Sequence, residues 1–155
     1  MKKIVLGLLI ITSTINTVLA QHTKTMKDKL ENKIWVTETH NGKTYIKFRN
    51  DTISSIFIES VDGKEKAYKP NYYPYYFSNS IDFTFNPEKM EKLNDGKYYV
   101  FEVKIFNIVH ADTHEILKIT DEELHYKIPD ELNDGRRKGN ITIYKAFHGT
   151  VPYEF

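Results

Sequence analysis

The stretch "IWVTETHNGKTYIKFRNDTISSIFIESVDGKEK", Ile34 to Lys66, decides the fold, because three turn signals, Asn41-Gly42, Asn50-Asp51 and Asp62-Gly63, cut it into four short runs. Both central residues of a type I′ turn need positive φ, which Asn, Asp and Gly adopt at low cost, so such pairs between alternating apolar residues mark hairpins. Counting outward from Asn41-Gly42 sets His40 opposite Lys43, Thr37 opposite Ile46 and Trp35 opposite Phe48. Counting from Asn50-Asp51 sets Phe48 opposite Ile53, Ile46 opposite Ser55 and Thr44 opposite Phe57. Asp62-Gly63 sets Glu59 opposite Lys66 and Phe57 opposite Tyr68. Directly paired residues share a face. Trp35, Ile46, Phe48, Ile53, Phe57 and Tyr68 therefore point one way, and three hairpins agree on one apolar face.

The rest of the chain continues the pattern. A polar stretch "KTMKDKLEN" before Ile34 suits a turn or two of helix, and no long helical period follows it. "IDFTF" alternates Ile81, Phe83 and Phe85 with polar residues, and "YYVFEVKIF" sets Tyr99, Phe101, Val103 and Ile105 against Glu102 and Lys104. Both have the period of a half-buried strand. Around "TDEE", Ile119 meets Leu124, Leu117 meets Tyr126 and Glu115 meets Ile128; after "NDGRRKGN" the last strand is "ITIYKAF". Eight or nine short strands in simple succession predict an all-β chain, a single antiparallel up-and-down β-barrel closed to remove its edges, with a short N-terminal helical turn.

"KPNYYPYYFSNS", Lys69 to Ser80, holds five rings in six residues, split by Pro74. It falls on the fourth strand and its approach to the fifth, with Ser78, Asn79 and Ser80 as the reversal. Proline cannot donate to a ladder, so the strand is an edge, bulged or partly loop here. Strict alternation turns Tyr68, Tyr72 and Tyr76 inward with Phe57 and leaves Tyr73, Tyr75 and Phe77 outward, unless Pro70 or Pro74 resets the phase.

The chain opens on "MKKIVLGLLIITSTINTVLAQ", with two lysines, an apolar run from Ile4 to Ile11 and short side chains at Val18 and Ala20. This reads as an export signal (residues 1–20) cleaved after Ala20, since the apolar run is too short for a membrane anchor of about 20 residues. Cleaving 20 residues from 155 leaves 135, residues 21–155, a usual size for one domain that buries about two-thirds of its unfolded surface. Without Lys2 and Lys3 the basic count falls from 22 to 20 against 21 acidic residues, a net charge near −1 that draws the chain to neither nucleic acid nor an anionic membrane. With no cysteine, the domain is held by packing alone and carries no lipidated cysteine.

These features resemble the bacterial lipocalin-like (calycin-type) family of small exported β-barrels. The resemblance is carried by "LENKIW", "YIKFRNDT", "YYFSNSIDF", "DGKYYVFEVKIF" and "HEILKITDEELHYKI", and spans Leu30 to about Phe147. Lys33 stands where that family usually has a glycine, two residues before the leading tryptophan. The resemblance implies an eight-stranded barrel with an open mouth, often a ligand binder, and brings no catalytic residues.

"HADTH" places His110, Asp112 and His114 two apart, which would suit a metal triad, but a polar turn between two strands accounts for them as well. His40 and His125 fall at strand ends or outward positions. No serine or threonine sits in a nucleophile elbow, Glu38 and Glu102 fall on the face opposite the apolar one, and the charges of "GRRKG" read as a solvated loop. No catalytic residue, metal ligand or cofactor is therefore assigned. The expected function is an exported, periplasmic or secreted, non-enzymatic barrel binding a small apolar ligand through the rings Trp35, Phe48, Phe57, Tyr68, Tyr72, Phe83, Tyr99 and Phe101. Such a barrel either fills with side chains or holds one small molecule, and the bulk of these rings leaves that choice open. The alternative is an interaction or inhibitor module whose partner meets outward Tyr73, Tyr75 and Phe77, since tyrosine is enriched at binding hot spots.

Overall fold

A computed structural model describes residues 24–132, 140–151 and 153–155; the expected signal segment and the "GRRKG" loop lie outside the described residues. Helix α1 (Met26–Leu30) is followed by β1 (Ile34–Thr39), β2 (Gly42–Arg49), β3 (Thr52–Val61), β4 (Lys64–Ala67) and β5 (Asn71–Ser78). A loop with a 3-10 turn at Pro87–Lys89 leads to β6 (Tyr98–Ile105), β7 (Ile108–Ile119), β8 (Glu123–Lys127) and β9 (Ile141–Phe147). Every pairing between these strands is antiparallel, and because β1 pairs with both β2 and β9, eight of the nine strands close into a barrel, β4 standing apart on β3. Closure leaves those eight strands no free edge. The barrel is consistent with a calycin-like fold.

Two of the three counted hairpins hold in register. Phe48 pairs with Ile53 and Thr44 with Phe57 around Asn50 (φ 48°) and Asp51 (φ 55°). Glu59 pairs with Lys66 around Asp62 (φ 51°) and Gly63 (φ 74°). The first hairpin turns instead on His40 and Asn41, so Trp35 lies opposite Ile46 rather than Phe48. The reason is Gly42, which is drawn into β2 where a Cβ would run into the Ile58 carbonyl; its glycine serves close approach, not the turn. The offset is two residues, so the faces are unchanged.

Two one-residue shifts elsewhere do change faces. The chain gains a residue between Ala67, paired with Ile58, and Asn71, paired with Ser55. Tyr68 still donates its N–H to Phe57 (2.9 Å) and stacks on its ring at 5.8 Å, but beyond Pro70 the phase is reversed. Tyr75 and Phe77 are buried in the barrel core with Tyr73 packed beside them, whereas Tyr72 is 60% exposed. The outward assignment of Tyr73, Tyr75 and Phe77 and the inward assignment of Tyr72 are thus corrected. Tyr76 is buried, but in a separate cluster with Phe85 and Val100, beneath the loop between β5 and β6.

The second shift is a bulge between Ile116 and Lys118. Ile119 meets Leu124 as counted, but Tyr126 meets Ile116 and Glu115 meets Lys127, leaving Leu117 42% exposed. "HADTH" is accordingly not a turn. It lies within β7, and the β6–β7 hairpin turns on Phe106 (φ 49°) and Asn107 (φ 66°).

"IDFTF" is loop rather than strand, because the place beside β5 is taken by β6. Its alternation is spent on covering the barrel from outside: Phe85 packs on Tyr76 (5.1 Å), while Phe83 is 69% exposed and far from any inward role. Asp82 ties the loop down. It accepts from the Tyr76 hydroxyl (2.8 Å) and Lys89 (2.8 Å), and its carbonyl accepts from Thr113 Oγ1 (2.9 Å). Burial alone would raise the Asp82 pKa, but those side-chain hydrogen bonds outweigh it and hold it low.

Inside the barrel, Trp35, Phe48, Tyr75, Phe77 and Leu30 form a filled end. Trp35 is fully buried and donates Nε1–H to the Leu30 carbonyl (3.0 Å), which fixes α1 across that end. Thr25 and Asp28 form a capping box on α1, and Lys27 binds Asp51 at 2.6 Å in the β2–β3 turn. The leading turn uses Asn32 at φ 61°, so glycine is not required at position 33. Lys33 instead reaches Asp121 (3.1 Å) and lies over the Trp35 ring (5.3 Å).

Truncating a buried aromatic to alanine costs about 3 to 5 kcal/mol, and an exposed one about 0.5 kcal/mol or less. Tyr75→Ala and Phe77→Ala are expected to lower the urea midpoint sharply, and Tyr72→Ala to leave it nearly unchanged. The reverse ranking would show that β5 carries the other phase.

Candidate functional site

Above the filled end the lumen is hollow, with a cavity of about 180 Å³. Its two walls differ in chemistry. One is formed by β2 and β3 and carries Ile46, Phe48, Ile53 and Ser55; the other runs from β5 through β9 and carries Tyr73, Phe101, Tyr99, His114, Tyr126 and Tyr144. Adjacent strands contribute each ring of the second wall, so its geometry is set by the ladder: Tyr99 pairs with His114 and Tyr126 with Thr142.

The rings form a continuous surface. Tyr73 meets Phe101 edge-on (5.6 Å), Phe101 stacks on Tyr99 (6.0 Å), and Tyr126 lies between His114 (4.3 Å, 9°) and Tyr144 (5.9 Å, 19°). A hydrogen bond and ring stacking hold it: the Tyr99 hydroxyl and His114 Nδ1 are 2.6 Å apart. On its other side the imidazole has Asp112 Oδ1 at 3.6 Å from Nε2.

Of the rings expected to bind ligand, Phe48, Tyr99 and Phe101 line the cavity. Trp35 is packed into the filled end, Phe57 and Tyr68 stack on each other away from the cavity walls, and Tyr72 and Phe83 are on the exterior. Tyr73, expected outside, is a wall residue. Alternation from the bulge-free register hid His114, and the "HADTH" turn reading hid it again. Counting outward from Phe106-Asn107 would have set Tyr99 opposite His114, but phenylalanine is an uncommon residue at positive φ and gives no turn signal. Titratable groups are therefore gathered in the lumen, where sequence alternation had placed none. Among the described residues, no three His, Cys, Asp or Glu side chains come together as a metal site would need, and no helix is long and apolar enough to cross a membrane.

A larger hollow of about 540 Å³ lies outside the barrel at the β1–β2 hairpin, between polar exterior side chains such as Glu38, His40 and Lys43. It lacks the ordered ring wall of the lumen. Comparison of the chain with protein-family models, curated proteins and solved structures gives no match.

Burial raises the phenol pKa of Tyr73, Tyr75, Tyr99, Tyr126 and Tyr144 above the ordinary 10.0. For Tyr99 the neighbouring Tyr126, Tyr144 and Asp112 push further the same way; for Tyr126 hydrogen bonds from Thr142, Tyr144 and Tyr99 oppose burial without cancelling it. Above about pH 10 the unfolded chain releases these protons and the fold retains them, so the unfolded chain binds fewer protons. Stability is thus complete below about pH 10 and falls as pH rises, by about 1.4 kcal/mol per pH unit for each of the largely buried phenols Tyr75, Tyr99, Tyr126 and Tyr144 while it is held neutral, and by less for half-exposed Tyr73. In an alkaline titration the luminal phenols are expected to ionise together with loss of the far-UV signal. Full tyrosinate absorbance in a chain that keeps its strand signal would contradict a dry ring wall.

Proposed function

We propose that this chain is a non-enzymatic, lipocalin-like binding barrel that holds one small molecule in its lumen. The observation that carries the reading is the cavity of about 180 Å³ lined by an aliphatic wall and an aromatic wall. Concave, largely apolar sites with a few placed polar groups are what small-molecule binding requires. The closed eight-stranded barrel and the motifs from "LENKIW" to "HEILKITDEELHYKI" support placing it beside lipocalin-like proteins, and the "MKKIVLGLLIITSTINTVLA" segment supports export.

The luminal Tyr99–His114 pair does not favour an enzyme. A nucleophile or general base needs a pKa near the working pH, and burial drives the Tyr99 phenol the opposite way, toward a permanent neutral hydrogen-bonding group. The interaction-module reading loses its contact surface, since Tyr75 and Phe77 are 0% and 2% exposed. Single exposed rings such as Tyr72 and Phe83 are ordinary surface features.

The test is ligand binding followed by aromatic NMR on the full chain and on Ser55→Trp, which fills the hollow from the aliphatic wall. Fragment-sized apolar compounds are expected to bind one per chain, to shift Tyr99, His114 and Tyr126 resonances, and to lose binding in Ser55→Trp while the fold is kept. Absence of saturable binding, or binding that Ser55→Trp leaves intact, would overturn the proposal.

A further inference from the structure

Resting on that reading, we infer that the ligand is a single uncharged ring bearing one or two hydrogen-bonding substituents, a phenol-like or N-heterocyclic compound, and not a chain-like lipid. Size comes first. The cavity measures about 180 Å³, and an apolar protein cavity of about 150 Å³ takes one benzene molecule. A ring with one or two small substituents fits that space; a long acyl chain or a retinoid needs several times more. The filled end blocks extension in one direction, because Trp35, Tyr75 and Phe77 are all within 2% of complete burial there.

Shape and polarity agree with this. A flat ring fits between the Ile46–Ile53 wall and the stacked Tyr126, where aromatic pairs favour offset or edge-on contact. Around it, two polar groups lack partners: among the described residues, neither the Tyr73 hydroxyl nor Ser55 Oγ is hydrogen-bonded, though both line the cavity. They lie on neighbouring strands, with Ile53 opposite Tyr73 and Ser55 two residues on. Both residues are part-buried, so a substituent that bonds to them takes the place of water on hydroxyls that no protein group engages. Charge is the third criterion. No lysine or arginine is among the described residues lining the cavity, so a carboxylate would enter without a counter-ion, at high cost. His114 and the phenols offer hydrogen bonds, and the nearest carboxylate, Asp112, is already turned to His114.

The experiment is calorimetric titration of the full chain with phenol, toluene, benzoate, choline and palmitate. Phenol is expected to bind one per chain, tighter than toluene by about 3- to 10-fold, the worth of one hydrogen bond, with benzoate, choline and palmitate weaker than both. Tyr73→Phe should remove most of the phenol advantage and leave toluene binding unchanged, while Tyr72→Phe, on the exterior, should alter neither. Palmitate, benzoate or choline binding more tightly than phenol would overturn the assigned ligand class and leave the binding barrel standing. Equal affinity for phenol and toluene would overturn the hydrogen-bonding part. No binding by any of the five would overturn both the class and the binding reading.

Discussion

The lumen exists in this form because the chain takes one residue more than regular pairing allows at two places, within β7 and between β4 and β5. In β7 the bulge at Leu117 lets Ile119 and Ile116 both face inward, so that His114 and Asp112 follow in phase. Unbroken alternation from Ile119 would instead turn Glu115 and Thr113 into the barrel. Glu115 would then leave Lys97 and Lys127, each 3.3 Å away, and an unpaired carboxylate would be buried. At Pro70 the corresponding gain between β4 and β5 turns Tyr73, Tyr75 and Phe77 inward and frees Tyr76 to anchor the outer loop. A period of two makes each single insertion a change of face for every residue beyond it.

That arithmetic also explains what was legible in the sequence. Where turns are marked by Asn, Asp and Gly, the register of β2, β3 and β4 was readable to the residue, and the inward set Trp35, Ile46, Phe48 and Ile53 followed from it. The barrel itself was legible for the same reason. What was not readable were the phase changes, because a bulge is chosen by packing on both sides of a strand and leaves little composition signal. Pro70 was a warning, whereas Leu117 sits in "EILKI" without glycine or proline to mark it. The candidate site was therefore only partly foreseen: Phe48, Tyr99 and Phe101 were found, and His114, Tyr126 and Tyr144 were not. "IDFTF" misled in the opposite sense, since a loop that covers an outer face repeats the alternation of a strand.

The barrel divides its two duties along its axis. At the end closed by α1, large rings pack against one another to the density that stability requires, and the Trp35–Leu30 hydrogen bond joins helix to barrel. Toward the other end the rings are spread around a hollow and held by the hydrogen bond between the Tyr99 hydroxyl and the His114 imidazole and by the stacking of Tyr126 between His114 and Tyr144. Satisfied buried polar networks of this kind keep a single geometry, which preserves the hollow instead of letting it collapse. The outer clusters, Tyr76 with Phe85 and Val100, and Tyr45 with Ile56 and Ile58, brace the strands from behind.

The polar wall of the lumen depends on the direction of His114. Nuclear Overhauser contacts between assigned side chains measure it directly. The His114 ring protons are expected to show cross-peaks to the rings of Tyr99, Phe101 and Tyr126, which lie 4.3 to 5.1 Å away by centroid, and the Thr113 methyl none to Tyr126. Cross-peaks from Thr113 to Tyr126, with His114 showing contacts only to exterior residues, would mean that the bulge at Leu117 is absent and that the polar wall of the lumen does not exist.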